Sequence, residues 1–108
     1  MTAAAPQASL HHAPARRGDR PIACHVLAPA GSANGLVLLL HGRDGAGRSA
    51  HIVPIAHAYV ARGWRVVAPD LPCSRAVPDS GPAELFTMSG HLDDAAAVLQ
   101  WAREAWPA

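Results

Sequence analysis

The sequence predicts an α/β fold with a mostly parallel sheet flanked by helices, and three features of the chain indicate it. Residues 36–40 are five consecutive aliphatic residues without polar alternation, which is typical of a strand buried on both faces. A glycine-rich turn and an amphipathic helical pattern follow this run. A second apolar stretch, residues 64–68, comes after the helix. Strand, helix and strand in this order predict a βαβ unit over residues 36–68.

The composition limits the kinds of partner that the chain can have. The chain has 108 residues, 50% of them hydrophobic, which is enough for one domain with a modest core. Nine arginines and no lysine stand against eight acidic residues, and this balance predicts neither nucleic acid nor a membrane as a partner. Cys24 and Cys73 are far apart in the sequence, so they predict neither a disulfide framework nor a CxxC metal site. We expect no metal and no cofactor. No stretch resembles a signal peptide or a membrane span, so we expect a cytoplasmic protein.

The first part of the chain is expected to contribute little to the core. Residues 1–20 are rich in alanine, proline and histidine and lack hydrophobic periodicity, which predicts a flexible N-terminal tail. The folded domain is then expected to occupy residues 21–108. Its first strand is predicted over residues 21–27, near the sheet edge, because proline and glycine follow soon after it. The Asn34-Gly35 pair is expected to form the turn into the buried aliphatic run.

Two helices are predicted from apolar residues at helical spacing. The first is expected to begin close to Pro54, with Ser49 as its N-cap and Gly63 at its end. Its predicted apolar stripe consists of Ile52, Ile55, Ala56, Tyr59 and Val60. The second helix is expected from about residue 89 to residue 106. Its predicted buried face consists of Leu92, Ala95, Ala96, Leu99, Ala102 and Trp106.

The glycine turn, residues 41–49, is the candidate functional segment, because a strand, a tight turn and a helix start together form a corner that stabilises anions. Two nucleotide-binding patterns come close to its sequence. A phosphate-binding loop would span Gly42 to Ser49 but needs lysine where Arg48 stands. A relaxed dinucleotide fingerprint would use Gly45 to Ala50, with Asp70 as the ribose ligand. We expect Asp70 to cap the turn at the strand exit rather than to bind a ribose.

A third pattern, which we favour, extends beyond the turn. The stretch from Gly35 to Trp106 resembles the first part of an α/β-hydrolase, and it is most similar to lysophospholipase-like and serine aminopeptidase-like enzymes. The resemblance rests on three pieces in the same order and at similar spacing, which are residues 36–42, residues 62–70 and residues 86–101. Enzymes of this family are serine hydrolases that cleave esters, amides or related acyl bonds of small molecules through an acyl-enzyme.

The resemblance implies a role for one segment of this chain. His41, Gly42 and Arg43 match the oxyanion-hole turn, in which the backbone N–H of Arg43 would help to bind the negative oxygen of an acyl-transfer intermediate. His41 is expected to support the turn rather than to transfer protons. The Gly-x-Ser-x-Gly nucleophile elbow of the family does not occur in the sequence, and the catalytic serine, acid and histidine of the family have no counterparts in it.

We therefore expect an N-terminal segment, truncated before the nucleophile strand and inactive alone. In the family's sheet the Leu36–Leu40 strand would lie beside that strand, so here it would form a long apolar edge. Such an edge predicts marginal stability, self-association or pairing with another chain. Two alternatives stay open: a nucleotide-binding βαβ module that uses Gly42 to Ser49, and a non-catalytic remnant that pairs with another chain.

Overall fold

The computed structural model describes residues 5–14 and 20–107. Within these residues, one four-stranded sheet has the order β1-β2-β4-β3. Its strands are β1 (Gln7–Ala13), β2 (Ile22–Ala28), β3 (Leu36–Leu38) and β4 (Arg65–Pro69). The β3–β4 pair is parallel, whereas β1–β2 and β2–β4 are antiparallel. The α/β class is confirmed, and the described sheet is mixed.

The predicted strand, helix and strand unit is present, with differences in the helix. Helix α1 (Ile52–Ala61) connects β3 to β4, and Gly63 follows it with a φ of +91°. The helix buries Ile52, Ala56 and Val60, but Ile55 and Tyr59 are 42% and 41% exposed. The predicted N-cap at Ser49 is wrong, because the cap residue is His51, without a side-chain hydrogen bond. The Ser49 hydroxyl instead accepts the Ala46 N–H at 2.9 Å, inside the glycine turn.

The predicted N-terminal tail is wrong over Gln7–Ala13, which forms a complete strand along β2. This strand depends on contacts that are remote in sequence: Ala13 is buried, and the ring of His11 lies edge-on to that of Trp106 at 5.1 Å. Because β1 occupies the outer side of β2, β2 lies inside the sheet rather than near its edge. The other parts of the predicted tail, residues 1–4 and 15–19, lie outside the described residues.

The second helix, α2 (Met88–Ala105), begins at Thr87, whose hydroxyl accepts the Gly90 N–H at 3.0 Å. Its buried residues are Gly90, His91, Asp94, Ala95, Val98 and Ala102. Leu92 and Leu99, which the sequence analysis places on the buried face, are 57% and 39% exposed. The buried face is therefore rotated from the predicted one. It contains the polar residues His91 and Asp94, so a hydropathy pattern does not identify it as buried.

The helices cover opposite faces of the sheet. Helix α2 packs with side chains of β1, β2 and β4 to form the larger hydrophobic cluster, which is completed by Leu36, Leu38 and Leu40. Helix α1 packs on the other face, on Val66 with Leu27, Val37 and Leu39 beside it. The chain from residue 70 to 87 is irregular apart from one short 3-10 helix, Ala83–Leu85. Neither described helix has the length and apolar character needed to cross a membrane.

Candidate functional site

The glycine turn begins where β3 leaves the sheet. Leu39 still donates its N–H to Val67 O at 2.9 Å, and the chain then bends at His41 and Gly42. The carbonyl oxygen of Gly42 accepts two hydrogen bonds, from Gly45 N–H at 3.0 Å and from the Nδ1–H of His41 at 2.7 Å. Both bonds hold the bend in one shape.

The ring of His41 is fixed by backbone groups on both sides. The Leu71 N–H donates to His41 Nε2 at 2.9 Å, so Nε2 must carry the lone pair and the proton must sit on Nδ1. The residue is only 3% exposed, and this burial lowers its pKa from the ordinary value of 6.5. Because both nitrogens are engaged in the neutral ring, His41 positions the turn and is not available as a proton acceptor.

The pH dependence of folding follows from this buried neutral ring. A lowered pKa in the folded state means that protonation of His41 favours unfolding. The contribution of the neutral ring to the free energy of unfolding is therefore complete above about pH 6.5 and is lost as the pH falls below it. We expect the free energy of unfolding to fall more steeply below this pH in the wild type than in His41→Gln, which keeps an acceptor and does not titrate. Urea titrations between pH 8 and pH 5 measure the difference. Parallel profiles for the two proteins would contradict the assignment.

A second histidine supports the turn from α2. His91 is 9% exposed and donates its Nε2–H to the carbonyl oxygen of His41 at 3.1 Å. The two rings lie edge-on with centroids 5.6 Å apart, and the Phe86 ring packs on His91 at 5.2 Å. Within the described residues, His91 Nδ1 is buried without a hydrogen-bond partner. Sequence reasoning missed His91, because a histidine on the inner face of a helix is not distinguishable by pattern from an exposed one.

The loop that follows β4, residues 70–81 (the β4 loop), is fastened to the glycine turn. Asp70 accepts the Gly47 N–H at 2.7 Å through Oδ1 and the Nε2–H of His25 at 2.9 Å through Oδ2. The buried Ser74 hydroxyl donates to Gly45 O. These bonds fix both loops against each other at one end of the sheet. Ser74 is a second supporting residue that sequence reasoning did not identify.

The nucleotide-binding alternative loses its two main groups in this arrangement. A phosphate site needs free backbone N–H groups in the turn, but the Gly47 N–H is bonded to Asp70. A ribose ligand needs a free carboxylate, but both oxygens of Asp70 are bonded within the chain. Asp70 therefore holds the turn, which is the other role that the sequence analysis allowed for it.

Arg43 lies exposed on the outer side of the turn. Its guanidinium carbon is 5.3 Å from the centroid of the Phe86 ring, a cation–π contact. In the part of the chain that the structure describes, the Arg43 N–H makes no hydrogen bond. Among the described residues, the turn thus combines a fixed backbone with an unbonded N–H on an exposed residue, an arrangement that can bind an oxygen atom as it becomes negative.

Other reactive groups do not gather into a site. Both cysteines are free thiols, and burial raises the pKa of Cys24 to about 11, which makes it unreactive. Among residues 5–14 and 20–107, no three side chains of histidine, cysteine, aspartate or glutamate lie close enough to hold a metal ion.

The solved structures with a fold similar to that of this chain include two esterases and a dienelactone hydrolase. A cold-adapted esterase from an Arctic intertidal metagenomic library, bound to polyethylene glycol, matches with a TM-score of 0.73 and 23% identity over 97% of this chain and 48% of its own. A dienelactone hydrolase from Anabaena variabilis matches with a TM-score of 0.60 and 16% identity, over 92% of this chain and 44% of its own. A bacterial heroin esterase matches with a TM-score of 0.63 and 18% identity, over 93% of this chain and 31% of its own.

These similarities concern the fold. The chain spans less than half the length of each of these structures, at identities below 25%. No protein-family model and no curated protein sequence matches the chain.

Proposed function

We propose that this chain, which has the α/β-hydrolase fold, supplies the oxyanion-stabilising turn of a serine hydrolase that acts on ester, amide or related acyl bonds. One observation carries the proposal: His41 fixes the turn of His41, Gly42 and Arg43, and no described residue bonds the N–H of the exposed Arg43. We further propose that this hydrolase is of the lysophospholipase-like or serine aminopeptidase-like kind and that it is cytoplasmic.

The chemistry follows from where charge develops in acyl transfer. When a serine attacks an acyl carbon, the carbonyl oxygen becomes negative, and a donor that is already in place stabilises it without reorganising. The bonds from His41, His91 and Asp70 hold the backbone that carries this donor. One such donor typically contributes roughly 3 to 4 kcal/mol to the transition state.

The chain alone is not expected to hydrolyse esters. Its sequence has no Gly-x-Ser-x-Gly elbow to supply the nucleophile, so the proposed activity requires a polypeptide that carries this motif. We expect no labelling by a fluorophosphonate probe and no turnover of p-nitrophenyl acetate by the purified chain. Co-expression with a polypeptide that carries this motif is expected to give both, with the label on the serine of that motif. Labelling of a serine in this chain, or turnover by the chain alone, would contradict the proposal.

We also propose that the open edge of β3 pairs with another strand. The N–H of Leu39 and the carbonyl of Gly35 face β4, so by alternation the backbone groups of Leu36, Leu38 and Leu40 face the open edge. No described strand pairs with that edge. The segment of residues 36–40, which contains β3, is entirely aliphatic, with no charge or proline to discourage pairing.

In the isolated chain this edge is expected to cause self-association. Leu38→Pro removes an N–H that faces outward, whereas Leu38→Ala removes the same packing and keeps the N–H. Sedimentation over a range of concentrations should show association of the wild type and of Leu38→Ala, and a folded monomer for Leu38→Pro. A monodisperse wild-type monomer with a cooperative melt would contradict this use of the edge.

A further inference from the structure

A second concave surface lies on the α1 face of the sheet and has no part in the proposed chemistry. Its floor is formed by two rows of paired residues that cross β1, β2 and β4. The strand register places Leu10 opposite His25 and His25 opposite Ala68, and it places Ala8, Leu27 and Val66 in the next row on the same face. Because side chains alternate along a strand, these six residues share one side of the sheet.

Helix α1 covers only part of this floor, and the uncovered part is a groove of about 520 Å³. Val53, Ala56 and His57 form its wall on the helix side. Leu10 remains 56% exposed on the floor, although its row neighbours are partly or fully covered. A volume of this size is within the usual range for pockets that bind small molecules.

The groove lining includes His25, Gly47 and Arg48 beside its apolar residues. His25 donates its Nε2–H to Asp70, and no described residue bonds its Nδ1. Gly47 adjoins this ring, since a Cβ built on Gly47 would lie 3.0 Å from His25 Cδ2, and Arg48 follows directly on the groove lining. No aspartate or glutamate is among the described residues that line the groove. A largely apolar lining that includes an arginine and no acidic residue is complementary to an amphipathic anion.

We propose that this groove binds a free monocarboxylic acid with an unbranched alkyl chain. The carboxylate pairs with the Arg48 guanidinium, on the part of the groove lining that also contains His25 and Gly47. The alkyl chain lies over Leu10, Leu27 and Val66, where it removes apolar surface from water. The site excludes His41, Gly42 and Arg43, so it stands or falls separately from the proposed hydrolase role.

Calorimetric titration of the whole chain with octanoate tests this site. Saturable one-site binding is expected, with octan-1-ol at least tenfold weaker because it lacks the charge. Arg48→Gln, at an exposed position, should weaken octanoate binding at least fivefold. Leu10→Asp should abolish it, because a carboxylate on the floor repels the ligand, while Leu85→Asp, an exposed leucine outside the groove lining, should not change it.

Circular dichroism of each variant confirms that it is folded before titration. Absence of saturable binding, equal affinity for octanoate and octan-1-ol, or unchanged affinity in Arg48→Gln would each overturn the proposal. So would an equal loss in Leu10→Asp and Leu85→Asp, since that would mean adsorption to exposed leucines in general.

Discussion

Gly47→Ala is expected to destabilise the fold by about 3 kcal/mol, a typical cost of forcing atoms into closely packed space. A Cβ at this position would lie 2.4 Å from Ala68 O and 3.0 Å from the Ala68 carbonyl carbon. Ala68 is in β4, inside the sheet, so its backbone cannot move aside without disturbing the pairing with β2. Any shift of residue 47 instead would break its N–H bond to Asp70, which fastens the turn.

The control for this substitution lies five residues earlier. A Cβ on Gly42 meets no atom within 4 Å, so Gly42→Ala should change the free energy of unfolding by less than about 1 kcal/mol. Urea unfolding followed by circular dichroism measures both variants under the same conditions. Equal effects at the two glycines would show that Gly47 does not lie against β4 as described.

Arg43→Pro is expected to lower kcat/KM of the complete enzyme by a factor of about 100 to 1,000. The complete enzyme meant in this prediction is the proposed assembly of this chain with a polypeptide that carries the nucleophile. Proline has no backbone N–H, so the substitution removes the proposed oxyanion donor. The loss should appear mainly in kcat, because the donor acts on charge that exists only in the transition state.

Arg43→Ala is the matched control, because it removes the guanidinium and its contact with Phe86 but keeps the N–H. We expect it to retain kcat/KM within about threefold, since an exposed cation–π contact is worth only about 0.5 to 1 kcal/mol. A loss in Arg43→Ala as large as that in Arg43→Pro would assign the effect to the side chain. The backbone role of Arg43 would then be wrong.

The central unit of the fold could be predicted because its signals are local. Three elements follow one another in sequence and differ clearly in hydrophobic period, namely β3 within its aliphatic run, then α1, then β4. Strand β1 could not be predicted in this way. It forms because it pairs with β2 and because His11 packs against two tryptophans of the C-terminal region, and neither contact leaves a local pattern.

The same distinction applies to the candidate site. The sequence indicates a turn at His41, Gly42 and Arg43, and in the structure the chain bends there after β3, while the oxyanion role of these residues stays a prediction. Two residues that hold the turn lie in other parts of the sequence and were not predicted, namely His91 in α2 and Ser74 in the β4 loop. Their roles depend on which side chains pack over the turn. The hydropathy pattern of α2 predicted the wrong buried face, so it did not place His91 there.

The most direct test of the oxyanion role is the affinity of the complete enzyme for a trifluoromethyl ketone. Attack of the serine on this inhibitor produces a stable tetrahedral oxyanion, which the Arg43 N–H should bind as it binds the transition state. Arg43→Pro is expected to raise the inhibition constant by the same factor by which it lowers kcat/KM, while Arg43→Ala leaves the constant nearly unchanged. An inhibition constant that is the same in Arg43→Pro and in the wild type would contradict the account.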